Sequence, residues 1–273
     1  MRCGAPLVRR NGDSRVTGQG WFERALELAE RGRGKVADHP LVGAVVVAAG
    51  IARAVVGARD PNPLVDGRGL ERLRKGGVEV ELLDSFEARR QNEAWRTWKS
   101  LGRPFVTYKA AVTLDGRVSV PGRRWVTGEQ ARRRVHELRA VSDAVAVGMG
   151  TARADHPRLD ARDVGAVRQP RRLVFGRGRL PEGSRLEQRT GPIADELQAL
   201  AAEGVQSLLL EGGPTLATAF VEAGLVDKVL LFVAPVAEGT GPRWLGVPPP
   251  ELVHRRVERV GEDVLFEGYL REP

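Results

Sequence analysis

Ser207-Leu208-Leu209-Leu210-Glu211-Gly212-Gly213-Pro214-Thr215-Leu216 runs from three consecutive leucines into two glycines and a proline. A short apolar run ended by glycines predicts a buried strand. Pro214 suits a first helical turn, where its missing N–H would be unpaired in any case. Thr215 to Val221 then predicts a short helix. Strand, glycine turn and helix N-terminus together aim backbone N–H groups at open space, a geometry that suits a phosphate. Glu211, at the strand's end, projects into the same crevice. An ordinary βα turn has the same pattern, so this stretch alone leaves both readings open.

Around it the alternation of strands and helices is plain. Strands are predicted at 105–112, 143–147, 171–175, 205–210, 227–233 and 263–270, the last closing the sheet. Helices are predicted at 129–141, 192–203 and 214–223. The expected fold is therefore α/β, a mixed and largely parallel sheet with flanking helices and with ligands at the strand C-termini. Before it, 85–99 predicts one connecting helix with Ser85 as N-cap. Residues 21–84 predict a small α/β region: helix 21–31, strands 41–47 and 51–56 as a tight hairpin, helix 68–75 and strand 78–83. Residues 1–20 are polar and Arg/Gly-rich, without the apolar core of a signal peptide, and are expected to form a disordered leader.

Composition sets bounds. The 273 residues carry a formal charge of +8, with 42% hydrophobic and 29% charged residues, as in a soluble globular protein. No apolar run approaches the ~20 residues of a membrane span, so a cytoplasmic protein is expected. The basic residues are spread along the chain and aromatics total 5%, which argues against nucleic acid and fits a pocket for a phosphorylated small molecule. One cysteine and four scattered histidines exclude a disulfide framework and a multi-cysteine zinc site.

Few residues stand out chemically. Lys109 lies in an apolar strand of a chain that otherwise prefers arginine, and it must pair or snorkel. An edge-strand lysine would satisfy that as well as a functional one. Gly148-Met149-Gly150 ends another strand, but Arg153 takes the third glycine's place in a dinucleotide fingerprint. Two glycine turns on one parallel sheet still make a floor for a dinucleotide. Arg139 and Arg162 are suited to bidentate phosphate contacts, although in a chain this rich in arginine a solvated surface residue has the same signature. His136 is expected to cover the sheet, and His156 has no evident partner.

These motifs resemble one family. Arg103 to Arg117, Trp125-Val126-Thr127-Gly128, His136 to Arg139, Gly148 to Leu159, Leu210 to Leu216 and Asp227 to Pro235 are similar, in order and spacing, to the reductase half of the bifunctional riboflavin-biosynthesis deaminase/reductase. That resemblance implies a dihydrofolate-reductase-like fold. It also implies NADPH-dependent reduction of the ribosyl group of 5-amino-6-(5-phosphoribosylamino)uracil to a ribityl chain. Position by position, it implies that Lys109, Arg139, Leu159, Arg162 and Glu211 face the substrate, with Lys109 and Glu211 catalytic. Ala111, Trp125, Thr151, Asp155, Gly213, Pro214, Thr215 and Leu216 would line the NADPH site, and no metal is implied there.

The first region resembles the same family's cytidine-deaminase-like half in its flanks alone, at Arg24 to Gly32, Leu41 to Val47 and Asp60 to Gly69. Its middle lacks the His-Ala-Glu and two-cysteine zinc motifs, so a remnant without deaminase activity is expected. Three departures fall in the reductase half. Gly176-Arg177 replaces the usual Asp-Ser, Arg123-Arg124 precede Trp125, and 182–192 is short enough to suggest a lost strand. Two rival readings remain at this stage: a related enzyme acting on another pyrimidine or pteridine, and an inactive scaffold. A homodimer would help to cover the thin first region.

Overall fold

The computed structural model describes residues 18–32, 40, 52–62, 65, 67–248 and 250–273. The expected strand 41–47, its hairpin and the leader before residue 18 lie outside the described residues. Two compact units divide at Asn92.

The first unit contains α1 (Gly18–Glu30), β1 (Arg53–Val56), α2 (Arg68–Lys75), β2 (Glu79–Leu82) and α3 (Phe86–Gln91). β1 and β2 pair in parallel. Its described core is thin: Ala29 and Ala88 are buried, while Val55, Leu73, Leu82 and Leu83 remain exposed. Ser85 caps α3 by accepting from the Ala88 N–H at 3.2 Å. The single helix expected over 85–99 is in fact two, because α3 ends at Asn92 and α4 (Glu93–Leu101) starts afresh.

The second unit holds an eight-stranded sheet. Its elements are β3 (Phe105–Val112), β4 (Arg117–Ser119), α5 (Glu129–Val141), β5 (Ala144–Gly148), α6 (Met149–Asp155), β6 (Arg171–Phe175), β7 (Glu187–Arg189) and α7 (Ile193–Ala202). They continue with β8 (Ser207–Leu210), α8 (Pro214–Glu222), β9 (Lys228–Val233), β10 (Thr240–Arg243), β11 (Val253–Val260) and β12 (Asp263–Tyr269). The strand order is β11-β12-β9-β3-β8-β5-β6-β7, while β4 and β10 form a separate ribbon. From β9 to β7 every pairing is parallel, and β12 and β11 add on antiparallel. Three expectations need correction here. β12 does not close the sheet, because β11 lies outside it. The 182–192 segment has not lost its strand, since β7 pairs with β6 within it. Gly150 is not part of a turn, because α6 begins at Met149.

Strand alternation sorts side chains onto two faces. Val106, Tyr108, Ala110 and Val112 pack with Leu197, Leu200, Ala217 and Phe220 of α7 and α8. On the other face α5 and α6 cover Val145, Val147, Leu209, Leu230 and Phe232. The connections that step from β3 toward β7 therefore use one face, and those that return to β8 and β9 use the other. A uniform crossover hand requires this.

At the opposite end of the strands from the glycine corners, Arg103 donates to both Asp227 oxygens at 2.7 Å, and the Val106 N–H adds a third bond at 2.8 Å. Asp227 is 2% exposed. Removing one partner of such a pair leaves a buried charge uncompensated. Asp227→Ala should therefore lose about 3–5 kcal/mol of unfolding free energy in a denaturant titration. A loss below ~1 kcal/mol would show the pair to be dispensable.

Candidate functional site

The site assembles where β8 meets its neighbours. Tyr108 and Leu210 form the last β3–β8 register pair, so Lys109 and Glu211 come next, side by side and on the face that α5 covers. β3 is a central strand with β9 and β8 on its flanks, so Lys109 is not an edge lysine. Its Nζ lies 3.7 Å from Glu211 Oε2. From the last turn of α5, Arg139 donates through Nε to Oε1 at 2.6 Å and through Nη2 to Oε2 at 2.9 Å. All three side chains are largely buried, at 15, 8 and 13% exposure for Lys109, Glu211 and Arg139.

One carboxylate thus serves two cations. Burial pushes the Glu211 carboxyl up, but the Lys109 charge and the Arg139 hydrogen bond and charge outweigh it and hold it below its ordinary value. Burial lowers the Lys109 ammonium; Glu211 opposes this and Arg139 adds to it. The cluster keeps one uncompensated positive charge away from bulk water. That charge would attract an anion or stabilise negative charge developing nearby.

A second layer extends the cluster. Arg139 Nη1 also donates to the Asp160 carbonyl at 3.2 Å, and His136, one turn earlier on α5, meets the same oxygen through Nδ1 at 3.0 Å. Burial and the Arg139 charge lower the His136 pKa. A carbonyl only accepts, so Nδ1 carries the proton. The Asp160 carboxylate binds Arg162 at 2.6 Å and Arg158 at 2.7 Å. Asp160 and Arg158 were not among the residues picked out from the sequence. The signal was there, however: Arg158-Leu159-Asp160-Ala161-Arg162 places an acid between two arginines at every second position.

Across the adjoining crevice, two helix N-termini converge. Gly148 and Gly213 begin α6 and α8, and neither helix has a side-chain cap. The corners fit closely. A Cβ at Gly213 would lie 3.3 Å from Thr151 Oγ1, and one at Gly212 would lie 3.0 Å from Leu216 Cδ2. Above Gly150, by contrast, a Cβ would meet nothing within 4 Å. Open space over uncapped N–H groups is what a pyrophosphate-bearing cofactor needs. This is also a topological switch point, since β5 leads on to β6 over one face and β8 to β9 over the other.

The remaining expected residues are placed as follows. Thr151, Pro214 and Leu216 are half-buried at the two corners, and Thr215 is exposed. Asp155 is exposed in the last turn of α6. Ala111 shares a face with Lys109 and packs toward α5. Trp125 is 51% exposed and flanked by the guanidinium groups of Arg124 and Arg132. Leu159 as a whole is 2% exposed, packed in the core beneath α6 with its backbone at φ +52°. Among the described residues, no carboxylate pairs with Arg153, Arg177 or Arg179. Arg153 bonds the Arg179 carbonyl and Arg177 the Thr190 carbonyl.

Comparison with known proteins gives concordant results. Residues 104–266 match the family model described as the RibD C-terminal domain. The riboflavin biosynthesis protein RibD of Mycobacterium tuberculosis is 37% identical over 247 residues, covering 83% of this chain and 72% of that protein. RibD of Aquifex aeolicus is 32% identical over 266 residues, covering 82% and 75%. The solved structure of Acinetobacter baumannii RibD, form 1, superposes with a TM-score of 0.76 at 25% identity, covering 92% of this chain and 98% of that one.

The charge cluster makes a pH prediction. Glu211 has a folded-state pKa below its ordinary 4.5. Its ionised form therefore adds stability that is fully present above the unfolded value and is lost as pH falls through the folded one. Glu211→Gln should destabilise the protein at neutral pH by about 3–5 kcal/mol. The gap from the parent protein should narrow below pH 4.5, read from urea midpoints across pH. A gap that is constant with pH would refute the assignment.

Proposed function

The chain belongs to the RibD C-terminal domain family, and we propose that it is an NADPH-dependent reductase of 5-amino-6-(5-phosphoribosylamino)uracil in riboflavin biosynthesis. Family membership supports the reductase role. The observation that carries the finer reading is the buried, net-positive Lys109–Glu211–Arg139 cluster beside the uncapped α8 N-terminus. Burying surplus charge is expensive unless something uses it, so the cluster argues against an inactive scaffold.

In this reading the backbone from Gly213 to Leu216, with Thr151, holds the cofactor pyrophosphate, and Ala111, Trp125 and Asp155 line the same site. The bound nicotinamide supplies a hydride to the sugar C1 of a ring-opened imine. The imine nitrogen must then gain a proton. Lys109 is the acid assigned to that step, because burial makes its ammonium a readier donor. Glu211 orients Lys109 and holds Arg139 in place. Arg139 and Arg162 hold the ribose phosphate, with Leu159 assigned to the substrate side of the same loop. The chain's main work is to align the two reactants and to exclude water. Deaminase activity is absent in this reading: the sequence has one cysteine, too few for a two-cysteine zinc motif.

The decisive assay is NADPH oxidation dependent on the ribosylaminouracil phosphate. Lys109→Met should lower kcat by about 10²–10³, the usual cost of one electrostatic contact to the transition state. Absence of turnover together with absence of NADPH binding at ~1 mM would overturn the enzyme reading. Among the described residues Arg177 has no carboxylate partner, and it is the residue proposed to meet the cofactor's 2′-phosphate. Arg177→Ala should erase the preference for NADPH over NADH, and an unchanged preference would exclude that role.

A further inference from the structure

We propose that the Asp160 carboxylate is an internal counter-ion, standing in for the substrate's phosphate on Arg162 and Arg158 and thereby setting the affinity for that phosphate. The proposal rests on the reading above, in which this site takes a ribose phosphate.

The geometry is that of an anion already bound. Each Asp160 oxygen takes a different guanidinium, Arg162 at 2.6 Å and Arg158 at 2.7 Å, and the acid's side chain is 14% exposed. The loop fixes it there. Leu159 anchors its side chain in the core while its own backbone holds a left-handed conformation that leucine rarely adopts. The Ala161 N–H donates to Gln169 Oε1 at 2.8 Å, and Gln169 Nε2 returns a bond to the Ala161 carbonyl at 2.9 Å. Between these anchors, Arg139 and His136 hold the Asp160 carbonyl. The backbone cannot retreat, so the carboxylate either keeps its arginines or rotates away from them.

An incoming phosphate dianion must share those guanidiniums with a resident monoanion or displace it. The stand-in holds Arg162 and Arg158 together, but it also repels the ligand. Asp163 is a natural contrast: it lies 3.9 Å from Arg162 Nε but is 88% exposed, so solvent screens it. Removing the Asp160 charge should therefore favour the dianion more than removing that of Asp163. A unit charge acting on a dianion across a few ångströms of water-like dielectric amounts to about tenfold in affinity.

The test is calorimetric titration of the full chain with ribose 5-phosphate and with inorganic phosphate at fixed ionic strength. Asp160→Asn keeps the backbone carbonyl that Arg139 and His136 use, and it should tighten both Kd values about tenfold. Asp163→Asn should change them less than about twofold. Arg162→Ala should weaken binding in either background. Should Asp160→Asn not fold, Asp160→Ser is read by the same titration. Unchanged or weaker binding by the Asp160 variant, or no saturable binding by parent and variant alike, overturns the counter-ion role. Turnover of the ribosylaminouracil phosphate is measured separately. Tighter phosphate binding without turnover leaves the counter-ion standing and removes the reductase; turnover with unchanged phosphate affinity does the reverse.

Discussion

One buried carboxylate facing two cations organises the reductase unit. Glu211 cannot neutralise both Lys109 and Arg139, so a positive charge is left in a place from which water is largely excluded. Burial would normally drive such charges toward neutrality, and the Lys109 ammonium is indeed lowered. The arrangement persists because each member is held by structure made elsewhere. Lys109 is carried by a strand with neighbours on both sides, Glu211 by the end of β8, and Arg139 by the last turn of α5 with a second bond to the Asp160 carbonyl. A surface lysine and arginine around the same glutamate would be averaged by solvent and worth little.

That position follows from sheet topology. β8 is inserted between β3 and β5, although it comes after both in the chain. Its own connection leaves over one face and that of its neighbour β5 over the other, which parts the loops above their C-terminal ends, where such sheets take their ligands. At the start of the same strands Asp143 closes the gap, its Oδ2 accepting from the Gln206 N–H at 3.0 Å and from the Ser207 N–H and hydroxyl at 2.9 Å. Pinned at one end and parted at the other, β5 and β8 present Gly148 and Gly213 to each other. Leu216 and Thr151 fill the contact: an added Cβ would touch Leu216 from Gly148 at 3.5 Å and press on Thr151 Oγ1 from Gly213 at 3.3 Å.

What could be read from the sequence follows from which signals are local. Apolar runs mark β3, β5, β8 and β9, two of them ended by glycine at Gly148 and Gly212, and the helical stretches 129–141 and 214–223 end within a residue of α5 and α8. β11 escaped because it is an outer strand, exposed along most of its length, and carries His254, Arg255, Arg256, Glu258 and Arg259 with no alternation to detect. The break at Asn92 escaped because apolar positions continue through it, and asparagine is only a weak helix breaker. In the site, Lys109 was conspicuous as a lone lysine in an apolar strand. Its pairing with Glu211 was not, because the two are far apart in the chain and meet only through the β3–β8 register. Asp160 was hidden differently, as a surface-looking acid among arginines in a loop.

The basic balance of the chain has the same explanation at larger scale. Forty-three lysines and arginines face thirty-five acids, yet the surplus forms no uniform coat. Away from the site, several described arginines are matched to carboxylates: Arg103 to Asp227, Arg168 to Asp143, and Arg171 and Arg189 to Glu187 and Glu203. Others, such as Arg132 and Arg259, bond carbonyls. Around the site the matching falls short, with Lys109 and Arg139 sharing one acid, Arg153 and Arg177 bonded to carbonyls, and no carboxylate paired with Arg179 among the described residues. A nucleic-acid surface would spread its unmatched charge along an exposed face. Here part of the unmatched charge sits at the C-terminal ends of β5, β6 and β8, where helix N-termini without a side-chain cap add their own positive potential. Side chains and backbone thus favour the same kind of guest, a small molecule carrying phosphates.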